Sequence, residues 1–174
     1  MGALSAIGDL DEQISSEKFK AGFRAAAREY LSKGVTLAQN AWVSENLLGL
    51  FAEVANQDEP EIDVMLLPAA YLEPRLTNGE FGISFPEDSR IMRGPRKFFA
   101  DGGFHLQTAV LGEPYHKPHN GDPTYCGNLA ITREGMVKHV GAIHNAGYQT
   151  HIHVNGDGAA DLMLDVLDPP PHRH

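Results

Sequence analysis

Stretches with a helical hydrophobic period alternate along this chain with short apolar runs, and that alternation restricts the fold more than any other feature. Strands separated by helices or long crossovers pair in parallel, because only a crossover of a dozen or more residues brings the chain back to the same end of a sheet. Over residues 16–32 the side chains Phe19, Phe23, Ala26, Ala27, Tyr30 and Leu31 recur every three or four positions, with Glu17, Lys18, Lys20, Arg24 and Arg28 elsewhere. This pattern predicts an amphipathic helix stopped by Gly34. Residues 35–38 read as a short buried strand, and Ser44 caps a second helix through Leu47, Leu48, Leu50, Phe51 and Val54. Residues 62–67 read as another strand ended by Pro68. Residues 69–95, rich in Gly, Pro and charge, read as a long connection holding at most a small excursion.

Residues 96–100 give a third strand, and residues 101–130 a second long loop with Pro114, Pro118 and Pro123, of a size that is commonly functional in compact domains. Thr132 caps a helix with Met136, Val137, Val140 and Ile143 on its inner face, and Gly147 closes it. Residues 149–154 form a fourth strand that feeds a helix starting near Asp157. The expected fold class is therefore α/β with parallel strands, and 174 residues suffice for one core, so residues 1–174 are read as a single domain.

A formal charge of -9, with 14 scattered Lys and Arg, argues against a sequence-independent grip on nucleic acid. No stretch approaches the ~20 apolar residues of a membrane span, and residues 1–10 lack a basic segment followed by an apolar run. Cys126, the single cysteine, excludes an intramolecular disulfide framework and reads as an unpaired loop thiol. A cytoplasmic protein is the expectation.

In parallel sheets the functional loops lie at the carboxyl ends of the strands, and two of those ends carry chemistry. His151 and His153, two apart on a strand, point to one face, where two imidazoles can share a metal or one can serve alone. Asn155, Gly156 and Asp157 then form a tight turn, in which Gly156 permits an unusual backbone angle and Asp157 caps the helix through Ala159, Leu162, Met163 and Val166. The glycine-rich turn lacks the full phosphate-loop and dinucleotide patterns. Lys97, inside an apolar strand, must either snorkel outward or be paired, and snorkelling is the default. Buried beside a metal, its neutral amine can instead take up carbon dioxide, giving a carbamate that bridges two cations. Asp101 is either a turn residue before Gly102 and Gly103 or a carboxylate that supports a metal ligand.

The order of these pieces resembles the amidohydrolase superfamily, specifically its family 3 group. Four stretches carry the likeness: Gly-Val-Thr-Leu-Ala-Gln-Asn at 34–40; Lys-Phe-Phe-Ala-Asp-Gly at 97–102, followed by Thr-Ala-Val-Leu at 108–111 and Glu-Pro-Tyr at 113–115; Ala-Gly-Tyr-Gln at 146–149; and His-Val-Asn-Gly-Asp-Gly-Ala at 153–159 with Asp161. The resemblance implies part of a TIM-type (β/α) barrel, about half of its eight units, acting as a metal-dependent hydrolase of amide-like, non-peptide carbon-nitrogen bonds in small molecules. Lys97 falls at the fourth-strand lysine position and His153 at the fifth-strand histidine position, so both are implied metal ligands, with zinc, iron or manganese as the divalent ion. His151 matches no ligand position and becomes a core or lining residue. Asp101, Asn155 and Asp157 become supporting groups, and His105, Gln107 and Tyr115 become candidate substrate-lining residues.

The family's first-strand His-x-His, its later strand histidine and its last-strand aspartate are absent, and Pro169, Pro170 and Pro171 precede His172 and His174, which read as a frayed tail. A complete barrel takes about 250 residues. The isolated chain is thus expected to be inactive or nearly so, with open sheet edges that a second copy or a complementing chain would cover. Two other readings compete: a barrel-derived interaction module without catalysis, and a small doubly wound α/β protein.

Overall fold

The computed structural model describes residues 14–57 and 60–167. The chain divides into two compact units, Met1–Pro95 and Arg96–His174. The expectations for residues 1–10 and for His172 and His174 lie outside the described residues.

In the first unit, helix α1 (Ser16–Ser32) starts where the Ser15 hydroxyl accepts from the Lys18 N–H. It ends as the sequence predicts, with Gly34 at a φ of 78° and its N–H bonded to the Leu31 carbonyl. Strand β1 (Leu37–Val43) leads to helix α2 (Glu45–Gln57), whose Leu47 N–H is capped by the Ser44 hydroxyl. Strand β2 (Asp63–Pro68) follows, then a short 3-10 turn (Ala70–Leu72) and strand β3 (Ile91–Arg93). The sheet order is β1-β2-β3, with both pairings parallel and in the registers Leu37↔Asp63 and Val64↔Ile91.

Two strand assignments differ from the sequence reading. The first strand begins at Leu37 and extends to Val43, although Gln39 and Asn40 are polar. As an edge strand it buries only Val43, so its polar residues need no partner in the core and the apolar signal is faint. The third strand lies inside the stretch read as a connection, because three residues are too few to show a period. Tertiary bonds make it: the Val64 N–H donates to the Arg90 carbonyl and the Gly94 N–H to the Leu66 carbonyl, both at 2.7 Å.

Central strand β2 buries Val64 and Leu66, and α2 adds Leu48, Phe51 and Val54 to the same core. Phe51 anchors α1, with the rings of Phe19 and Phe23 meeting it edge-on at 5.0 and 6.0 Å between centroids. The shallow clefts of this unit are lined by residues such as Phe23, Ala27, Pro60 and Arg90, none of them a candidate site residue from the sequence.

The second unit pairs β4 (Arg96–Phe99) in parallel with β5 (Thr150–His153), in the register Arg96↔Thr150 to Phe99↔His153. Between them run a long loop with one 3-10 turn (Phe104–Leu106) and helix α3 (Arg133–Asn145); helix α4 (Asp157–Leu167) follows β5. Thr132 caps α3 by accepting from the Gly135 N–H. Met136 and Ile143 of α3 are buried, as are Ala159, Met163 and Val166 of α4. Val137, expected on the inner face, is largely exposed, because the buried stripe of α3 is confined to positions seven residues apart. Arg96 is fully buried, its guanidinium 3.7 Å from the centre of the Tyr148 ring. Among the described residues no helix is long and apolar enough to cross a membrane.

Two predictions follow from this packing. Truncating Phe51 to Ala removes the ring on which α1 rests and is expected to destabilise the first unit by about 3–5 kcal/mol, read from the urea midpoint. On α3, burial and then the charge of Lys138 hold the His139 imidazole below its ordinary value of 6.5. The unfolded chain therefore protonates first as pH falls below about 6.5, and folding weakens in that window. His139→Gln should flatten this acid-side loss in denaturation curves taken at pH values either side of it.

Candidate functional site

Parallel register determines which side chains meet at β4 and β5. Lys97 lies opposite His151, and Phe99 opposite His153. Since side chains alternate across a strand, these four share one face, while Arg96, Phe98, Thr150 and Ile152 share the other. Lys97 does not snorkel: it is only 6% exposed, with its ammonium nitrogen 5.1 Å from the centre of the Phe99 ring. Burial pushes its amine below the ordinary 10.5. His151 is exposed rather than in the core, and desolvation, then the Lys97 charge, depress its imidazole below 6.5. The ring of His153 packs on Phe99 at 5.0 Å.

Beyond the strands, the carboxylate of Asp101 organises the loops. It is 2% exposed and accepts three backbone N–H groups: Asn155 on Oδ1 at 3.0 Å, and Val110 and Gly156 on Oδ2 at 2.9 and 2.8 Å. Asp101 is therefore neither a plain turn residue nor a direct partner of the imidazole. It ties the end of β4 to the 110 segment and to the turn after β5. That turn carries Asn155, whose amide nitrogen lies 2.9 Å from the Gly102 carbonyl and 3.1 Å from Nε2 of His153. Nε2 is itself 3.2 Å from the Gly102 oxygen.

Gly156 is required here for a reason different from the expected one. Its φ is not positive; instead an added Cβ would lie 1.8 Å from the Val110 carbonyl oxygen, so only a glycine lets the turn approach the loop. Asp157 is the first residue of α4, not the residue before it, and its carboxylate accepts from the Gly112 N–H at 3.1 Å. It fastens the same loop from the other side.

The candidate lining residues separate into two groups. His105 lies exposed in the 3-10 turn. Gln107 and Tyr115 hold the long loop together: the Gln107 amide donates to the Lys117 carbonyl at 2.8 Å, and the Tyr115 hydroxyl donates to the Ala109 carbonyl at 2.8 Å. Burial, then the electrostatic influence of Tyr125 and of Asp101, raise the Tyr115 phenol above its ordinary 10.0. His119 and Tyr125, which carried no sequence signal, complete this network. The His119 ring stacks on Tyr125 at 4.3 Å, and its Nδ1 is 3.0 Å from Oε1 of Gln107. Only the return of the loop on itself brings them together. Cys126 lies half-buried in the loop, outside any disulfide.

No group of three or more His, Cys, Asp or Glu side chains able to hold a metal occurs among the described residues. Lys97 and His153 offer one ligand group each, and a catalytic zinc site takes at least three protein ligands. Their chemistry suits a divalent ion only together with donors from beyond the described residues.

Parallel strands joined by long crossovers, with Asp101 and the turn at Asn155 and Gly156 beyond their carboxyl ends, are the pattern of part of a (β/α) barrel. The chain belongs to the amidohydrolase family, whose sequence model matches residues 2–171. The fold is similar to that of an uncharacterized metal-dependent hydrolase from Pyrococcus horikoshii OT3, with a TM-score of 0.75 at 24% identity over 89% of this chain and 31% of that one. A second such hydrolase, from Pyrococcus furiosus, gives 0.76 at 25% identity over 90% of this chain and 32% of that one. The chain thus spans about a third of the length of these structures. No curated protein sequence matches it.

Replacing Asp101 by Asn turns one acceptor oxygen into a donor facing a backbone N–H. The expected cost is about 2–4 kcal/mol. Amide exchange should quicken at Val110, Asn155 and Gly156 ahead of the rest of the unit, which NMR would resolve.

Proposed function

We propose that this chain supplies part of the metal-binding rim of a hydrolase that cleaves amide-like carbon-nitrogen bonds in small molecules, with Lys97 and His153 as metal ligands. The observation that carries the reading is the enclosed amine of Lys97, on the same face of a parallel pair as His153. An aliphatic amine shielded by burial resists protonation, and a neutral amine can form a carbamate with carbon dioxide, which adds an oxygen donor. Family membership and the two metal-dependent hydrolases of similar fold support the assignment. A bound divalent ion, with zinc, iron or manganese as the candidates, would acidify a water and polarise the scissile carbonyl. The Phe99 ring stands beside the Lys97 amine, and Asp101 keeps the turn after His153 in place. The remaining ligands and the proton-shuttling acid would come from outside the described residues, through the rest of a longer chain, a complementing chain or a second copy.

Purified chain dialysed against zinc, then analysed for metal content and titrated calorimetrically, tests this. Wild type should bind zinc weakly, and His153→Ala and Lys97→Met should each lower the affinity at least about tenfold. Equal zinc content in wild type and His153→Ala would overturn the ligand assignment and favour a barrel-derived interaction module without catalysis.

A further inference from the structure

Strand β1 carries one residue more than its partner. Ala41 lies opposite Leu67 and Val43 opposite Pro68, so Trp42 is the extra residue of a bulge, and its φ is 66°. A bulky side chain in that left-handed conformation is strained, and glycine ordinarily fills the first place of a bulge of this kind. The bulge itself serves packing. Regular alternation through Ala38, which packs against the core, and half-buried Asn40 would turn Trp42 inward and Val43 outward. With the extra residue, Val43 is fully buried and its carbonyl accepts from the Ala69 N–H at 3.0 Å. Glycine at position 42 would allow the same without strain, so packing does not explain the tryptophan.

The indole is 41% exposed and lies 5.7 Å, centre to centre, from the ring of Tyr71, which is 54% exposed and tilted 60° to it. Tyr71 sits in the 3-10 turn that follows β2. Both rings therefore come from the carboxyl ends of two neighbouring parallel strands, the edge at which such sheets take their ligands. Two aromatic rings held at an angle suit a flat apolar group, which can meet the face of one and the edge of the other. Glu45, the charged residue nearest to Trp42 in the chain, is paired with Arg75 at 3.8 Å, which favours a neutral ring over an ionic group.

We propose that Trp42 and Tyr71 form a specificity surface for the flat, uncharged ring of an aromatic amide, and that the strain at Trp42 is maintained for this contact. The substrate class rests on the hydrolase reading above. The ring contact itself needs no metal and neither Lys97 nor His153.

Trp42 is the one tryptophan of the chain, so its emission reports on this surface alone. Titration of the metal-free chain with N-benzoylglycine, an aromatic amide, should give a saturable change in tryptophan emission. N-acetylglycine, with the same amide and carboxylate but no ring, should give none. Tyr71→Ala should weaken binding of the aromatic amide by about tenfold. Trp42→Gly should keep or raise the urea midpoint, because glycine adopts the bulge conformation without strain, while N-benzoylglycine binding disappears in ligand-observed NMR. The surface is refuted by an equal response to the two amides, by no saturable response, or by an affinity that Tyr71→Ala leaves unaltered. A midpoint that falls in Trp42→Gly would show that the ring serves the fold, and would overturn the assignment as well. Zinc content indifferent to His153→Ala, with N-benzoylglycine binding intact, would remove the ligand assignment and leave the ring contact standing.

Discussion

Three backbone N–H groups converge on one buried carboxylate, that of Asp101, and the geometry at the ends of β4 and β5 depends on it. Each segment that it joins is short and irregular: the residues after β4, the loop at Val110, and the turn at Asn155 and Gly156. None has a ladder of its own to satisfy its polar backbone, and buried donors left without acceptors are costly. A charged acceptor with two oxygens meets that need at a single point. The carboxylate is thereby occupied, and this separates its role from that of Lys97, which projects from the strand itself.

Around this anchor, glycine marks where the backbones close in. Val110 stands so near Gly156 that any side chain there would collide with its carbonyl, and the Gly102 position is likewise closed by Thr108. On the far side Asp157 holds Gly112. The long loop, with its Gln107, Tyr115, His119 and Tyr125 contacts, is thus a folded structure in its own right, tied at both ends to the strand termini. Rigidity of this kind is what a ligand set requires, because metal affinity falls when ligands must be ordered at the moment of binding.

The helices and the parallel order of the strands were legible in the residues. Ser15 and Gly34, Ser44, and Thr132 and Gly147 bracket their helices by local hydrogen bonding and backbone preference, which act within a few residues of sequence. Strand β3 was not legible, and neither was the full extent of β1. Both are edge segments whose membership in a sheet is granted by β2, so their own residues need not alternate. The roles of Gln107 and Tyr115 within the loop, and the participation of His119, depend on contacts made across ten or more positions and leave no periodic trace.

The sequence by itself determined that Lys97 and His153 sit in strands, that a tight turn and a helix follow His153, and that the strands run parallel, since periodicity, caps and turn residues are local properties; the order of its motifs resembled the amidohydrolase family. Tertiary structure alone decided that Lys97 is enclosed, that it stands opposite His151 and shares a face with His153, and that Asp101 spends its carboxylate on backbone. Those outcomes depend on the register between β4 and β5 and on the return of a thirty-residue loop. Register and loop return are settled by which distant groups satisfy one another, and no window of neighbouring residues contains that information.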